Sequence, residues 1–355
     1  MGGSALLMTF FDAVNGRNAV VLFFVLSGFV LSESLQRSGL SPRACISFLV
    51  RRACRLLPLI YVMMAVSAVY LYLFLPREDL SRFGANWLLI GYFRPAPREL
   101  IDAITLQDYR INSVYWTLYV ELIGSLLFIP IFWLTARVNC VGRLLFLVAL
   151  MVVSFIGRDT LFPLYFFCFE LGLLAHRLRS FADSRSPTSR KTHFIEPLAA
   201  LVGVYMVAYA HSTIGNWVFQ IAGGQLDAGV LVWIEVVIEG FGAAILIFGC
   251  SSGSRIVRAI LGNRPLRILG TLSFSLYCIH FIVLKAIFPI WVALFGEALI
   301  DRPLLGPLLN IGFVVPVSLL LSAFMHSWVE LPGIAAGRKI SSALTDRFAG
   351  AQLAS

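Results

Sequence analysis

The sequence predicts an all-α fold, a polytopic bundle of about nine helices crossing a lipid bilayer. Three observations predict it. Hydrophobic residues make up 59% of the 355-residue chain, charged residues only 13%, and the mean hydropathy is +0.86, far too apolar for a soluble protein of this length. The apolar residues come in long runs, each near the ~20 residues that span hydrocarbon as a helix with its backbone satisfied internally. The basic residues lie between those runs, so the net charge of +9 reads as membrane topology. A nucleic-acid partner is not expected.

Taken in order, residues 1–18 carry Asp12, Asn15, Gly16 and Arg17 and make a poor span, so they are expected to be an external segment. Residues 19–335 form the transmembrane domain, with spans at about 19–35, 57–75, 113–134, 144–157, 160–176, 195–211, 230–250, 269–292 and 304–327. The first follows from the run Val20-Val21-Leu22-Phe23-Phe24-Val25-Leu26-Ser27-Gly28-Phe29-Val30-Leu31. A basic segment then brings Arg51-Arg52-x-x-Arg55 directly against Leu56-Leu57-Pro58-Leu59-Ile60-Tyr61, which reads as a membrane hairpin with a positively charged turn. Such arginines serve as a topology signal; at i, i+1 and i+4 they also suit the phosphates of a nucleotide-like cofactor.

The loop at about 76–112 is expected outside with balanced charges, and its Trp87–Phe93 stretch, too short to cross, reads as lying in the interface or covering the bundle mouth. Glu121 falls about 12 Å into its span at 1.5 Å per residue, where a carboxylate must face protein or a wet cavity. Only Gly157-Arg158-Asp159 separates the next two spans, and a polar, basic cytoplasmic linker at 180–193 divides the apolar core, with His176 and His193, solvated or interfacial, at its edges. Glu235 and Glu239 share a helix face at i, i+4, with Lys285 as a candidate partner. Tyr277 and His280 share a face at i, i+3, and residues 336–355 form a tail.

Sorting Lys and Arg by alternate loops puts the larger set, including Arg51, Arg52, Arg55, Arg177, Arg264 and Arg338, on one side. The positive-inside bias makes that side the cytoplasm, with the C-terminus there, the N-terminus outside and a multi-pass chain in the cell's inner (plasma) membrane. The six cysteines show no C-x-x-C pair and no metal-ligand spacing, so neither a disulfide nor a metal site is expected.

Four segments carry a resemblance. Leu22–Phe29 followed by Phe48-Leu49-Val50-Arg51-Arg52-Ala53-Cys54-Arg55-Leu56-Leu57-Pro58-Leu59-Ile60-Tyr61 is similar to the membrane acyltransferase-3 family, whose members O-acylate surface polysaccharides and related acceptors from acyl-coenzyme A. Tyr115-Trp116-Thr117-Leu118-Tyr119-Val120-Glu121 resembles that family's Trp-Ser/Thr-Leu-x-x-Glu segment. Gly270-Thr271-Leu272-Ser273-Phe274-Ser275-Leu276-Tyr277-Cys278-Ile279-His280 resembles its Gly-x-x-Ser-Tyr/Phe-Ser-x-Tyr-x-x-His segment, and Val329-Glu330-Leu331-Pro332 its closing Val/Ile-Glu-x-Pro. The family's first helix, with its Arg and His, has no counterpart here, and no histidine precedes His176. Either the reading frame starts at an internal Met or the residue has been lost.

The resemblance implies a function. Arg51, Arg52 and Arg55 would hold the phosphates of acyl-coenzyme A, with acetyl-coenzyme A the commonest donor in the family, and no metal. Trp116, Tyr277 and Glu330 would contact substrate, and His280 and Glu121 would serve catalysis. The acceptor would be a polysaccharide or lipid-linked sugar, and the oligomeric state is left open. O-acyl transfer needs a base for the acceptor hydroxyl and an anchor for the charged donor, and no Ser-His-Asp triad is legible. A proton-coupled transporter using Glu235, Glu239 and Lys285, or an inactive membrane scaffold, are the competing readings.

Overall fold

The computed structural model describes residues 16–74, 80, 83, 93–106, 108–185, 192–251, 254–302 and 304–353. Fifteen α-helices order the described chain, interrupted by three π turns and by no strand. They are α1 (Gly16–Ser38), α2 (Pro42–Leu73), α3 (Pro97–Ile104), α4 (Tyr115–Arg137), α5 (Cys140–Ile156), α6 (Leu161–Arg185), α7 (Thr192–Tyr205) and α8 (His211–Ile221). Then come α9 (Ala228–Cys250), α10 (Arg255–Leu261), α11 (Arg264–Phe295), α12 (Ala298–Asp301), α13 (Leu305–Leu309), α14 (Val315–Met325) and α15 (Leu331–Leu353). Among the described residues, eight helical stretches are long and apolar enough to cross a membrane, and α5 adds a shorter apolar helix of 17 residues. The all-α multi-pass bundle is therefore what the sequence predicts. Most of the Trp87–Phe93 stretch lies outside the described residues.

The basic segment departs from its expectation. Arg51, Arg52 and Arg55 sit inside α2, a single 32-residue helix, and the connection before it is only residues 39–41. The local chemistry explains this. Gly39 adopts φ +76° to end α1, with its N–H returning to the Leu35 carbonyl at 2.9 Å. Ser41 accepts the Ala44 N–H at 3.2 Å with Pro42 in the first turn, and arginine is a good helix former. At about 48 Å, α2 exceeds the ~30 Å hydrocarbon layer, so its basic end needs no turn to reach the headgroups.

The chain forms two compact units. The first holds α1, most of α4, and α5 to α10. Its centre is the crossing of α1 and α6. A Cβ on Gly28 would collide with the Phe169 carbonyl, and one on Gly172 with the Val25 carbonyl, so small residues set this approach. Phe24 and Phe169 fill the space beside it, ring centroids 5.5 Å apart. His176, expected to be solvated or interfacial, is instead buried, its Nε2 2.7 Å from Glu33 Oε2. Glu235 and Glu239 also find a different partner: Arg17 lies 2.7 Å from Glu235 and 3.0 Å from Glu239, and His211 lies 3.7 Å from Glu239.

The second unit holds most of α2, α3, the first turn of α4, and α11 to α15. Here α15 lies against the basic turn of α2. Pro58 has no N–H to return to the Cys54 carbonyl, and Gly333 comes so close to that oxygen that a Cβ would stand 2.5 Å from it. One turn on, a Cβ at Gly337 would stand 2.8 Å from Cys54 Cβ. This Gly-x-x-x-Gly pair seats α15 on the arginine-bearing face of α2.

Candidate functional site

The seating of α15 on α2 decides what the arginines meet. Arg51 Nη1 donates to Ser341 Oγ at 2.9 Å, and Arg55 Nε stands 3.8 Å from Glu330 Oε1. Arg51 and Arg55, four residues apart, thus share the α2 face that receives the His326–Glu330 π turn and α15, whereas Arg52 is half-buried beside them. Glu330 closes a π turn, His326–Glu330, and is 2% exposed. Its other oxygen, Oε2, accepts the Ser275 hydroxyl and His326 Nδ1, each at 2.8 Å. One buried carboxylate therefore joins α2, α11 and the π turn.

Further along α11 stand Tyr277 and His280. Tyr277 Oη donates to the Val114 carbonyl at 3.1 Å and accepts the Thr117 hydroxyl at 2.7 Å, which ties α11 to the first turn of α4 beside Trp116. Trp116 is half-buried. His280 turns Nδ1 to the carbonyls of Tyr277 at 2.8 Å and Leu276 at 3.2 Å. That assigns the proton to Nδ1 and the lone pair to Nε2, the tautomer a base requires. At 1.5 Å per residue His280 lies about 7.5 Å beyond Ser275 along the helix axis. Arg55, Glu330, Tyr277, His280 and Trp116 all belong to the second unit.

Glu121 belongs to the first unit, fully buried, and accepts the Ser27 hydroxyl at 2.8 Å. The Ser27-Gly28 pair thus has two distinct jobs: the serine serves Glu121, and the glycine lets α6 approach.

Three polar residues went unremarked in the sequence. His326 is the most consequential, and the i, i+4 pair with Glu330 is the signal that would have found it. Ser275 stood in a quoted segment without a role. Glu170 is fully buried with neither carboxylate oxygen hydrogen-bonded among the described residues, and no spacing in the sequence flagged it.

A family model described as an acyltransferase domain, that of acyltransferase-3, matches residues 2–326. Neither a curated protein nor a solved structure matches the chain.

Proposed function

Because the chain belongs to the acyltransferase-3 family of membrane acyltransferases, we propose that it moves an acyl group, acetyl in the family's commonest case, from acyl-coenzyme A to a hydroxyl of a surface polysaccharide or lipid-linked sugar. The observation that carries this reading is the Glu330 cluster, which holds Arg55, one turn of α2 from Arg51, at the level of Ser275 and leaves His280 about 7.5 Å further along α11. That is the order a long acyl donor needs, charged phosphates at one end and the thioester at the other.

In this reading Arg51, Arg52 and Arg55 hold the donor's phosphates at the cytoplasmic face of the inner membrane, with the C-terminus on the same side. His280 Nε2 takes the proton of the acceptor hydroxyl as that oxygen attacks the thioester carbonyl. The tetrahedral intermediate then expels the coenzyme A thiolate, which receives the proton from His280. Tyr277 and Trp116 border the reacting groups, and Tyr277 keeps His280 in place through its own carbonyl. Glu121, buried and bonded to Ser27, is the one carboxylate assigned a catalytic role. A donor bound as a thioester makes an acyl-enzyme unnecessary, and no nucleophilic serine is required.

The test is transfer of label from radiolabelled acetyl-coenzyme A in membranes containing this chain or its His280→Ala variant. Loss of transfer by a factor of about 10²–10⁴ is expected for loss of a general base. Full activity in His280→Ala would sink the assignment.

A further inference from the structure

Both oxygens of Glu330 are engaged, yet neither the imidazole nor the guanidinium beside it is used up. His326 commits only Nδ1, at 2.8 Å, its side chain is 13% exposed, and among the described residues nothing bonds its Nε2. Arg55 stands on the other carboxylate oxygen, 3.8 Å away, with 53% of its side chain exposed. It turns its Nε edge to Glu330 and offers its terminal nitrogens elsewhere. A closed structural pair would place the guanidinium fork against both carboxylate oxygens. Here the carboxylate instead restrains an imidazole on one side and a guanidinium on the other, as an orienting group does for the ligands of a bound ion.

We propose that His326 is a second phosphate-binding residue of the donor site. In the imidazolium form its Nδ1–H is held by Glu330, and its Nε2–H donates to a phosphate oxygen of the donor nucleotide, whose other oxygens take the terminal N–H groups of Arg55. This rests on the reading of Arg51, Arg52 and Arg55 as the donor anchor and adds to it a residue from a different helix. The bond from Ser275 to the same carboxylate ties this anchor to the helix that carries His280. His326 shares its carboxylate with Arg55, at the phosphate end of α11, so it acts on donor binding and takes no part in the proton transfer.

The experiment is calorimetric titration of the full chain, purified in detergent, with coenzyme A. The variants are His326→Leu, His326→Gln and Arg55→Gln. Losing one charge-assisted hydrogen bond predicts a Kd for His326→Leu weaker by about ten- to a hundredfold. His326→Gln, whose amide N–H still donates, should fall between it and the wild type. In transfer assays KM for the donor should rise in both while kcat holds. If His326→Leu fails to fold, His326→Gln carries the test alone. Wild-type Kd in either folded histidine variant, with weakened binding in Arg55→Gln, overturns the proposal and leaves the arginine anchor standing. No binding of coenzyme A by the wild type overturns both. Competition of coenzyme A by added phosphatidylglycerol would assign the site to lipid headgroups and also overturn the proposal.

Discussion

Two buried carboxylate clusters, one in each unit, use the same chemistry to opposite ends. In the first, Arg17 bridges Glu235 and Glu239 at 2.7 and 3.0 Å and His211 stands 3.7 Å from Glu239, so a single guanidinium, 21% exposed, meets two acids. In the second, one acid, Glu330, meets Arg55, His326 and Ser275, and the guanidinium is 53% exposed. The ratio of acids to cations separates them. Where two acids share one arginine, its Nε and one terminal nitrogen are taken up by carboxylates and the cluster ties helices together. Where one acid serves both an arginine and a histidine, donors are left over for an anion. The first cluster is also where a transporter reading would have located its proton path, and Arg17 gives those carboxylates a structural partner instead.

If that comparison is right, the largest effect belongs to the closed cluster. Arg17→Leu leaves two acids in the membrane without their counter-charge and should cost about 3 kcal/mol of stability, read as a lower melting temperature in detergent. Adding Glu235→Leu and Glu239→Leu should return most of the loss. A melting temperature unchanged by Arg17→Leu would break the comparison at its first term.

Next comes the seat of the arginines. Gly333→Val would drive a branched side chain into the Cys54 carbonyl, 2.5 Å from the position of its Cβ, and should cost about 1–3 kcal/mol. Because the same contact sets where Arg51 and Arg55 stand, donor KM should rise with it. Stability lost without any change in KM would separate the helix seat from the donor site.

A smaller stability effect, about 1 kcal/mol, is expected of Glu330→Gln, since the amide keeps a hydrogen bond to Ser275 and loses only the charge. Its mark should be a donor KM several-fold higher with the fold intact. A stability loss as large as that of Arg17→Leu would mean that the second cluster is as structural as the first.

The smallest effect lies outside the membrane, where Arg110 Nη2 meets Asp108 at 2.5 Å and Glu99 at 3.3 Å. Burial raises the Asp108 carboxyl, but hydrogen bonds and charge from Arg110 outweigh it and hold that carboxyl below its ordinary value. A depressed acid stabilises the fold fully above the unfolded value of about 3.9 and loses that contribution as pH falls through the folded one. Asp108→Asn should therefore lower stability near pH 7 by about 0.2–1 kcal/mol, with the gap to wild type closing in acid. A gap that persists there would point to packing as its source.

Much of the candidate site was legible in the sequence because its segments are local patterns. Tyr277 and His280 sit three residues apart on one helix, and the structure keeps them in contact, ring centroids 5.6 Å apart. Glu330, quoted in the closing segment, stands 3.8 Å from Arg55 of the basic segment. The missed partners had one physical source, which is that polar partners come from elsewhere in the chain. Lys285 was the plausible match for Glu235 and Glu239 by depth, yet Arg17, 222 residues from Glu239, holds them. The charged turn imagined before Leu56 turned out helical because nothing between Pro42 and Pro58 breaks a helix.

By itself the sequence determined the class of fold, the apolar spans and the family segments, since hydropathy and helical spacing act between near neighbours along the chain. Only the tertiary structure decided which charges are spent and which remain to meet a ligand. Arg51 reaches Ser341 across 290 residues through a close approach that two glycines permit, and backbone shape at that contact depends on both helices at once. His326 acquires its chemistry the same way: a histidine in an apolar run becomes a held imidazole because a π turn and a serine on another helix meet at one carboxylate.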